Sequence, residues 1–186
     1  MQVRDFFTML ESMEQYPDLK AKLRLVKDFP TPGVEFYDIT PLFEDPIAFR
    51  KAVDYIAGFY KNERIDKVVG IDARGFLVAS PVAYVLGAGL ALVRKKGKLP
   101  YEIIREHHEL EYGKSSLEIH VDAIKRGERI VIVDDVLATG GTAGAALRLV
   151  QNLGGNIIGL DFLVEIEKFE GRKKFPDHVI HSLVVY

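Results

Sequence analysis

Two carboxylates and a glycine-rich turn follow an apolar run in the second half of the chain. Residues 130–133 are all Ile or Val, which predicts a parallel strand covered on both faces. Asp134 and Asp135 come directly after this strand, and small residues with two threonines occupy positions 138–142. Because open α/β sheets bind ligands at the carboxyl ends of their strands, we expect these residues to form a ligand site.

The turn at 138–142 has the composition of an anion-binding loop. Small residues let successive backbone N–H groups approach a phosphate at the start of a helix, and hydroxyl groups add further donors. Asp134 and Asp135 would repel a phosphate in contact with them, but they can accept hydrogen bonds from the diol of a ribose one unit away. A ribose 5-phosphate therefore fits both halves of the motif. The loop consists of Ala138, Thr139, Gly140, Gly141 and Thr142.

Two other nucleotide-binding motifs do not fit this turn. A nucleoside-triphosphate loop has a lysine after its final glycine, whereas Thr142 follows Gly140 and Gly141. The glycine spacing of a dinucleotide-binding fingerprint is also missing. Two exposed acids before a tight turn, without any ligand, remain the alternative interpretation.

The strand, acid pair and Thr-Gly-Gly-Thr turn of residues 130–142 resemble the signature of the type I phosphoribosyltransferases, which use phosphoribosyl pyrophosphate (PRPP). The resemblance runs from about residue 29 to at least residue 165. Further segments along the chain narrow it, within this family, to the adenine phosphoribosyltransferases.

The first of these segments, residues 69–76, predicts a second anion site. Arg74 and Gly75 stand at the expected start of a helix, where a guanidinium can contact two phosphate oxygens. An ion pair of Arg74 with a surface acid is the alternative. The segment resembles the pyrophosphate-binding loop of the family, with Asp72 in place of the usual glutamate. The resemblance implies pyrophosphate contacts from Asp72, Ala73 and Arg74, and a cis peptide between Asp72 and Ala73.

The second segment, residues 93–100, carries four cations around a glycine. Runs of charge are more often solvated than functional, but this one follows a predicted strand and accompanies two predicted phosphate loops. It resembles the Arg-Lys-x-Gly-Lys-Leu-Pro stretch of the family. The resemblance implies pyrophosphate contacts from Arg94, Lys95 and Lys98, including contacts across a dimer interface.

The third segment is the Leu-Glu-Tyr-Gly-Lys stretch at residues 110–114. Its glutamate would by itself be interpreted as a surface charge. The resemblance implies a flexible flap over residues 95–120, whose closure excludes water from the site. It also implies catalytic roles for Glu111, as the general acid or base at the purine, and for Tyr112 and Arg74.

Residues 28–38 contain two prolines and are expected to form a stiff, extended segment that presents its backbone to a ligand. This segment resembles the base-binding hood of the family. Directly after the acid pair, Val136 and Leu137 are expected to form an apolar wall against the base. The resemblance implies adenine contacts, mainly through backbone groups and an aromatic face, from Glu35, Phe36 and Tyr37.

The chain is interpreted as one domain of residues 1–186. Its 186 residues can bury one substantial core, and 25 basic against 27 acidic side chains argue against a nucleic-acid or membrane surface. There is no cysteine, which excludes disulfides and thiolate chemistry. Residues 1–25 lack the apolar core of a signal peptide, and no apolar run has the length of a membrane span. A cytoplasmic location is therefore expected.

Strands and helices alternate beyond residue 45, which predicts a parallel sheet with crossover helices. Residues 1–40 are assigned to short N-terminal helices followed by the hood. Two extended stretches with polar residues between them form the expected flap, at 101–106 and 117–121. The other expected strands are 67–71, 90–93, 130–133, 157–164 and 179–185, and the expected helices are 45–61, 74–86 and 142–153.

Over the whole chain, the resemblance implies an α/β fold with a central, mostly parallel sheet flanked by helices, an N-terminal hood and a mobile flap. It implies transfer of the 5-phosphoribosyl group from PRPP to adenine, which yields AMP and pyrophosphate in purine salvage. Mg²⁺ is the implied cofactor, held mainly by substrate and water and not by direct protein ligands. A homodimer is the implied assembly.

Other functions remain open. A transferase for hypoxanthine, xanthine or guanine would share the chemistry and differ in the base. A regulator with this fold could keep the phosphate loop as a sensor and bind nucleic acid, although no basic domain is visible in the sequence. For the transferase, His107 and His108 are the alternatives to Glu111 as the proton-transfer group.

Overall fold

The computed structural model describes residues 16–110 and 113–186, without the side chains of residues 109, 110, 113 and 114. In this part of the chain the strands are β1 (Arg24–Lys27), β2 (Glu35–Asp38), β3 (Lys67–Ile71), β4 (Gly89–Lys95), β5 (Ile103–Leu110), β6 (Gly113–His120), β7 (Arg129–Leu137), β8 (Asn156–Glu165) and β9 (Ile180–Val185). The helices are α1 (Pro17–Lys20), α2 (Thr40–Glu44), α3 (Pro46–Phe59), α4 (Gly75–Leu86) and α5 (Gly141–Asn152), followed by 3-10 turns at Glu167–Phe169 and Gly171–Lys174. The helices expected before residue 16 lie outside the described residues.

Seven of the strands form one sheet in the order β5-β6-β4-β3-β7-β8-β9. Strands β4, β3, β7, β8 and β9 are parallel, whereas β6 pairs antiparallel with both β4 and β5. Helix α4 connects β3 to β4, and α5 connects β7 to β8, because parallel neighbours need a crossover connection. The prediction of a central, mostly parallel sheet flanked by helices is confirmed. The carboxyl ends of the parallel strands meet at one edge of this sheet.

Apolar side chains cover both faces of the sheet. Successive residues of a strand point to opposite faces, so Val131 and Val133 of β7 pack in one cluster with α3 and α4. Ile130 and Ile132 pack in a second cluster with α5. All four side chains are fully buried. A strand covered on both sides needs an apolar residue at every position, which is the pattern of residues 130–133.

Helix α3 begins where the sequence predicts. Asp45 is its N-cap, and the carboxylate accepts hydrogen bonds from the N–H groups of Ile47 and Ala48 at 2.9 and 3.0 Å. Pro46 occupies the first turn, where a missing N–H has no cost. The cap and the proline together stabilise the first turn of α3, the helix that packs on α4.

The hood is a β-hairpin, which differs from the extended segment expected over residues 28–38. Strands β1 and β2 pair antiparallel, and the chain reverses between them. Asp28 adopts a φ of 58°, and its carboxylate accepts a hydrogen bond from the N–H of Gly33 at 2.7 Å. The prolines therefore belong to the turn of a hairpin, and the extended part of this segment is limited to β2.

Strands β5 and β6 are longer than the two extended stretches that the sequence predicts. They pair from Ile103 and His120 to Leu110 and Gly113. Most of the polar stretch expected to be a loop thus belongs to strands, because cross-strand backbone hydrogen bonds form whatever the side chains are. Residues 111 and 112, between the two strands, lie outside the described residues.

Candidate active site

A cavity of about 410 Å³ lies at the carboxyl ends of the parallel strands. Four parts of the chain enclose it: the hood, Arg74 at the start of α4, the end of β7 with the turn to α5, and the segment after β8. The cavity thus brings the predicted base-binding residues and the predicted phosphate loop to one space. Its lining consists of Pro30, Val34, Glu35, Phe36, Tyr37, Arg74, Val136, Leu137, Ala138, Thr139, Gly140, Gly141, Thr142, Ala143, Ile166 and Phe169.

The turn at 138–142 has the geometry of an anion cradle. Gly140 adopts a φ of 75°, which glycine enters without strain, and α5 begins at the next residue. The N–H groups of Thr139 and Gly140 donate to no acceptor in the described part of the chain. The first N–H groups of α5 likewise have no partner within the helix. These donors can therefore bind a phosphate, with the positive end of the helix dipole behind them.

The acid pair at the end of β7 is nearly buried, with 6% of Asp134 and 7% of Asp135 exposed. Arg74 forms an ion pair with Asp135, in which Nε and Oδ2 are 2.6 Å apart. Burial, and then the charge of Asp135, raise the pKa of Asp134 well above its usual range, while Arg74 opposes this shift. Two carboxylates that share one arginine leave this strand end short of positive charge. It suits hydroxyl donors or a cation.

Five of the six predicted pyrophosphate residues lie at the ends of β3 and β4, outside the cavity lining: Asp72, Ala73, Arg94, Lys95 and Lys98. The Asp72–Ala73 peptide is cis, as the resemblance implies. The carboxylate of Asp72 lies 3.4 Å from Nε of Arg94 and accepts from the N–H of Lys95 at 3.4 Å. Arg94 in turn donates through Nη1 to the carbonyl oxygen of Lys98 at 3.1 Å. The structure therefore places these residues in one cluster beside Arg74.

Aromatic contacts hold the hood against the cavity. The guanidinium of Arg74 lies 5.5 Å from the ring centre of Phe36. The ring of Tyr37 stacks on that of Tyr186, with their centres 4.2 Å apart. In the described part of the chain, β2 pairs with β1 alone, so the backbone groups along its second edge remain available. Glu35, Phe36 and Tyr37 all belong to this strand.

The wall opposite the hood includes residues that the sequence analysis did not predict. Val136 and Leu137, which are predicted to contact adenine, both line the cavity; the first is half-buried and the second almost fully buried. Ile166 and Phe169 follow the end of β8 and complete the wall. The rule that strand ends carry the site could have indicated these two residues. Pro30 and Val34 of the hairpin turn also line the cavity, and both belong to residues 28–38, the segment expected to present its backbone to a ligand.

Glu111 and Tyr112 lie outside the described residues, and their catalytic roles remain predictions. The middle of the β5–β6 hairpin is attached to α5 through Glu106. Nε of Arg148 donates to the carboxylate of Glu106 at 2.9 Å, and the amide of Asn152 donates to the same carboxylate at 3.1 Å. The hairpin is thus linked to the helix that begins at the phosphate loop.

His107 and His108 line a different cavity, of about 390 Å³, which shares Gly140 and Gly141 with the first. Burial, and to a smaller degree the charge of Arg148, lower the pKa of His108. Neither histidine lines the cavity of the hood, so this arrangement gives them no contact with a ligand bound there.

Within residues 16–110 and 113–186, no group of three or more acidic or histidine side chains is arranged to hold a metal ion. In the same two ranges, no helix combines the length and the apolar character needed to cross a membrane.

Residues 39–184 match the protein family described as "Phosphoribosyl transferase domain". An adenine phosphoribosyltransferase of Anaeromyxobacter dehalogenans (strain 2CP-C) is 51% identical over 168 residues, which cover 90% of this chain and 98% of the relative. That of Geobacter metallireducens is 50% identical over 169 residues, which cover 91% of this chain and 99% of the relative.

Solved structures are similar over the same length. The adenine phosphoribosyltransferase of Rhodothermus marinus DSM 4252 superposes with a TM-score of 0.87 at 45% identity, covering 92% of this chain and 98% of that one. The enzyme of Saccharomyces cerevisiae, in complex with an imino-altritol bisphosphate and adenine, gives a TM-score of 0.86 at 37% identity, covering 91% and 98%.

Proposed function

The chain belongs to the phosphoribosyltransferase family, and we propose that it transfers the 5-phosphoribosyl group of PRPP to adenine, giving AMP and pyrophosphate. One observation carries this proposal: the hood strand and the phosphate loop face a single cavity, next to the strand end that bears the acid pair. The activity named for relatives at 51% and 50% identity supports the same reaction.

In this proposal, the loop at 138–142 binds the 5-phosphate through its backbone N–H groups and the hydroxyls of Thr139 and Thr142. Asp134 and Asp135 accept hydrogen bonds from the ribose hydroxyls. When the bond between C1 and the pyrophosphate oxygen breaks, positive charge develops on the ribose ring. The acid pair provides negative potential that stabilises this charge, and N9 of adenine then forms the new bond to C1.

Adenine would lie between β2 and the apolar wall of Val136 and Leu137. The second edge of β2 offers backbone N–H and C=O groups from Glu35, Phe36 and Tyr37, which can read the edge of a base. The complex of the Saccharomyces cerevisiae relative with adenine supports a base in this family's site. Selection of adenine over other purines would then depend on backbone groups and not on a charged side chain.

The leaving pyrophosphate would be held at the ends of β3 and β4. Arg74 can present two donors to phosphate oxygens, and Lys95 and Lys98 have exposed side chains. In the described residues neither lysine forms an ion pair, so both charges are available to a ligand. The proposed pyrophosphate-binding residues also include Asp72, Ala73 and Arg94, which lie in the same cluster.

Mg²⁺ is the proposed cofactor. The acid pair fits a cation because Asp134 and Asp135 are nearly buried next to each other and share one arginine. The ion would be held mainly by PRPP oxygens and water, beside the two carboxylates. When bound, the ion neutralises charge on pyrophosphate and so improves it as a leaving group.

We further propose that residues 95–120 act as a flap. Glu111 of this flap exchanges a proton with the purine, and Tyr112 is a further catalytic residue. Strands β5 and β6 lead to and from these residues, so a movement of the hairpin would carry Glu111 to the base. Closure would also exclude water, which would otherwise attack the developing ribosyl cation.

A homodimer is proposed through the outer surface of α4 and β4. Leu77, Tyr84 and Val85 of α4 are exposed by 52, 87 and 51%. Their spacing of seven and eight positions puts them on one face of the helix, and exposed apolar surface of this kind marks an interaction site. Arg74 directly precedes α4 and Arg94 lies on β4, so the interface would adjoin the pyrophosphate residues.

We place the protein, as one domain of residues 1–186, in the cytoplasm, because a chain without cysteine needs no oxidising compartment.

The test is release of pyrophosphate from PRPP and Mg²⁺ with adenine, guanine, hypoxanthine or xanthine. We expect turnover with adenine and a fall of roughly a hundredfold or more in Glu111→Ala, in the range of a general acid or base. Glu109→Ala, on the same hairpin, should retain activity. Turnover with guanine, hypoxanthine or xanthine instead of adenine would show specificity for a six-oxopurine. No turnover with any base would favour the alternative that the protein is a sensor and not an enzyme.

A further inference from the structure

We propose that Arg172 is a positioning residue for the phosphate loop. It acts through Gly171, whose backbone lies against the turn that binds the 5-phosphate. The inference rests on the proposed function of that turn and extends it to a segment about 30 residues later in the chain.

The backbone of Gly171 is in direct contact with the phosphate loop. A Cβ atom built on Gly171 would lie 2.1 Å from the carbonyl oxygen of Ala138 and 3.0 Å from the backbone nitrogen of Gly140. Conversely, a Cβ on Gly140 would lie 2.9 Å from the carbonyl oxygen of Gly171. The two backbones therefore fit together only without side chains, and a movement of one displaces the other.

Arg172 fastens this contact to the central sheet. Its Nε and Nη2 donate to the two carboxylate oxygens of Glu165 at 3.0 and 2.6 Å, and its Nη1 donates to the carbonyl oxygen of Ile180 at 3.0 Å. Glu165 is 5% exposed and also accepts from the hydroxyl of Ser182 at 2.6 Å. A two-pronged contact to a buried carboxylate fixes the direction of the arginine as well as its distance.

The anchoring carboxylate is itself placed by the strand that carries the site. Glu165 ends β8 and is paired in register with Leu137, the last residue of β7. The loop begins at the next residue, Ala138. A series of contacts therefore links the end of β7 to Glu165 on β8, Glu165 to Arg172, and the neighbouring Gly171 to the phosphate loop.

The segment around Gly171, residues 167–175, has few other side-chain links to the sheet. In the described part of the chain, Arg172 provides all the side-chain hydrogen bonds that join residues 167–175 to the strands. Phe175 adds an apolar contact, since its ring lies 3.2 Å from a Cβ built on Gly140. Loss of the guanidinium would leave the ring in place but remove the directional hold on Gly171.

The test compares Arg172→Gln and Arg172→Lys with the wild type in steady-state kinetics. Arg172→Gln should raise the KM for PRPP roughly tenfold, the factor expected when one charge-assisted hydrogen bond to the phosphate is lost. The KM for adenine should stay unchanged, because the hydrogen bonds of Arg172 in the described residues go to Glu165, Ile180 and Ser182 and not to the hood. Arg172→Lys keeps the charge without the two-pronged geometry, and it should give a smaller rise.

The matched control is Arg129→Gln at the opposite end of β7. Arg129 donates through Nε to the carbonyl oxygen of Arg64 at 2.6 Å and contacts the carboxylate of Glu63, so its loss also costs stability. It should lower the Tm without changing the KM for PRPP. Binding of AMP and of adenine, measured by calorimetry, gives a second readout: Arg172→Gln should weaken AMP and leave adenine unaffected.

A purely structural role would lower the Tm of Arg172→Gln and leave the ratio of the two KM values at its wild-type value, which would overturn the proposal. If Arg172→Gln fails to fold, Ser182→Ala removes one hydrogen bond from the same carboxylate, and an unchanged KM for PRPP in that variant would also refute it. A wild type without PRPP-dependent turnover would instead refute the proposed function.

Discussion

Gly75 separates the start of α4 from the acid pair, and its replacement by alanine should disturb both stability and binding of PRPP. A Cβ at this position would lie 2.6 Å from Oδ1 of Asp134, 3.2 Å from the carbonyl oxygen of Val133 and 3.3 Å from Cα of Asp134. The nearest of these atoms belongs to a carboxylate held at the end of a strand, so relief of the clash must move Asp134 or the helix.

The magnitude follows from two opposing effects. Overpacking at a buried position costs about 1–3 kcal/mol. Replacing glycine by alanine in a helix recovers up to about 1 kcal/mol. After the full helix gain, the net loss for Gly75→Ala is therefore up to about 2 kcal/mol, and one kcal/mol shifts the Tm of a chain of this size by about 2–4 °C.

Gly58→Ala is the matched control, because Gly58 lies near the end of α3 with no atom within 4 Å of a built Cβ. It should raise the free energy of unfolding by about 0.5–1 kcal/mol and leave the kinetics unchanged. Gly75→Ala should lower the free energy of unfolding and raise the KM for PRPP several-fold. Urea unfolding and steady-state kinetics measure both. Equal stabilisation by the two alanines, with an unchanged KM for PRPP, would refute the argument.

Three further predictions concern hydrogen bonds and titration. Tyr60→Phe should lower the free energy of unfolding by about 1.5–3 kcal/mol, because the hydroxyl donates at 2.6 Å to the fully buried carboxylate of Asp161. Tyr84→Phe, at a side chain that is 87% exposed, should change it little in the same denaturant titration. Burial raises the folded-state pKa of Asp134, so this residue makes the protein less stable as the pH rises above 3.8. The free energy of unfolding of Asp134→Asn relative to wild type, measured by urea titration from pH 4 to 8, should therefore increase with pH, and a flat difference would contradict this. Lys22, followed by the N–H of Ala48, lowers the pKa of Asp45 to about 2, so its stabilising effect, present above pH 3.8, should disappear as the pH falls through 2. Asp45→Ala should accordingly be less stable than wild type at pH 6, and the difference should shrink towards zero as the pH falls below 2, as followed by acid titration of the helix signal.

The sequence could predict the central part of the fold because its signals are local. The expected strand at 67–71 and helix at 74–86 agree with β3 and α4 to within one residue. Apolar residues on both faces, a glycine where a helix starts and a proline in its first turn each act within a few positions. Such patterns predict an element and its ends without knowledge of its neighbours.

The hood and the hairpin show where local signals fail. Two prolines indicated an extended segment, but the pairing of β1 with β2 turns that segment into a hairpin. The polar stretch before Leu110 indicated a loop, but pairing with β6 extends β5 through it. In both cases hydrogen bonds between distant backbone groups outweigh the preferences of individual residues.

The sequence by itself determined the order of strand, acid pair, glycine turn and helix, which is contiguous, so the ribose and phosphate groups that we propose this segment binds could be predicted from residue types and spacing. The tertiary structure decided how those parts meet. It placed Ile166 and Phe169 in the cavity wall, paired Arg74 with Asp135, and set Gly171 against the phosphate loop. These contacts join residues far apart in the chain. Close packing of the folded sheet determines them, and no pattern within one segment encodes them.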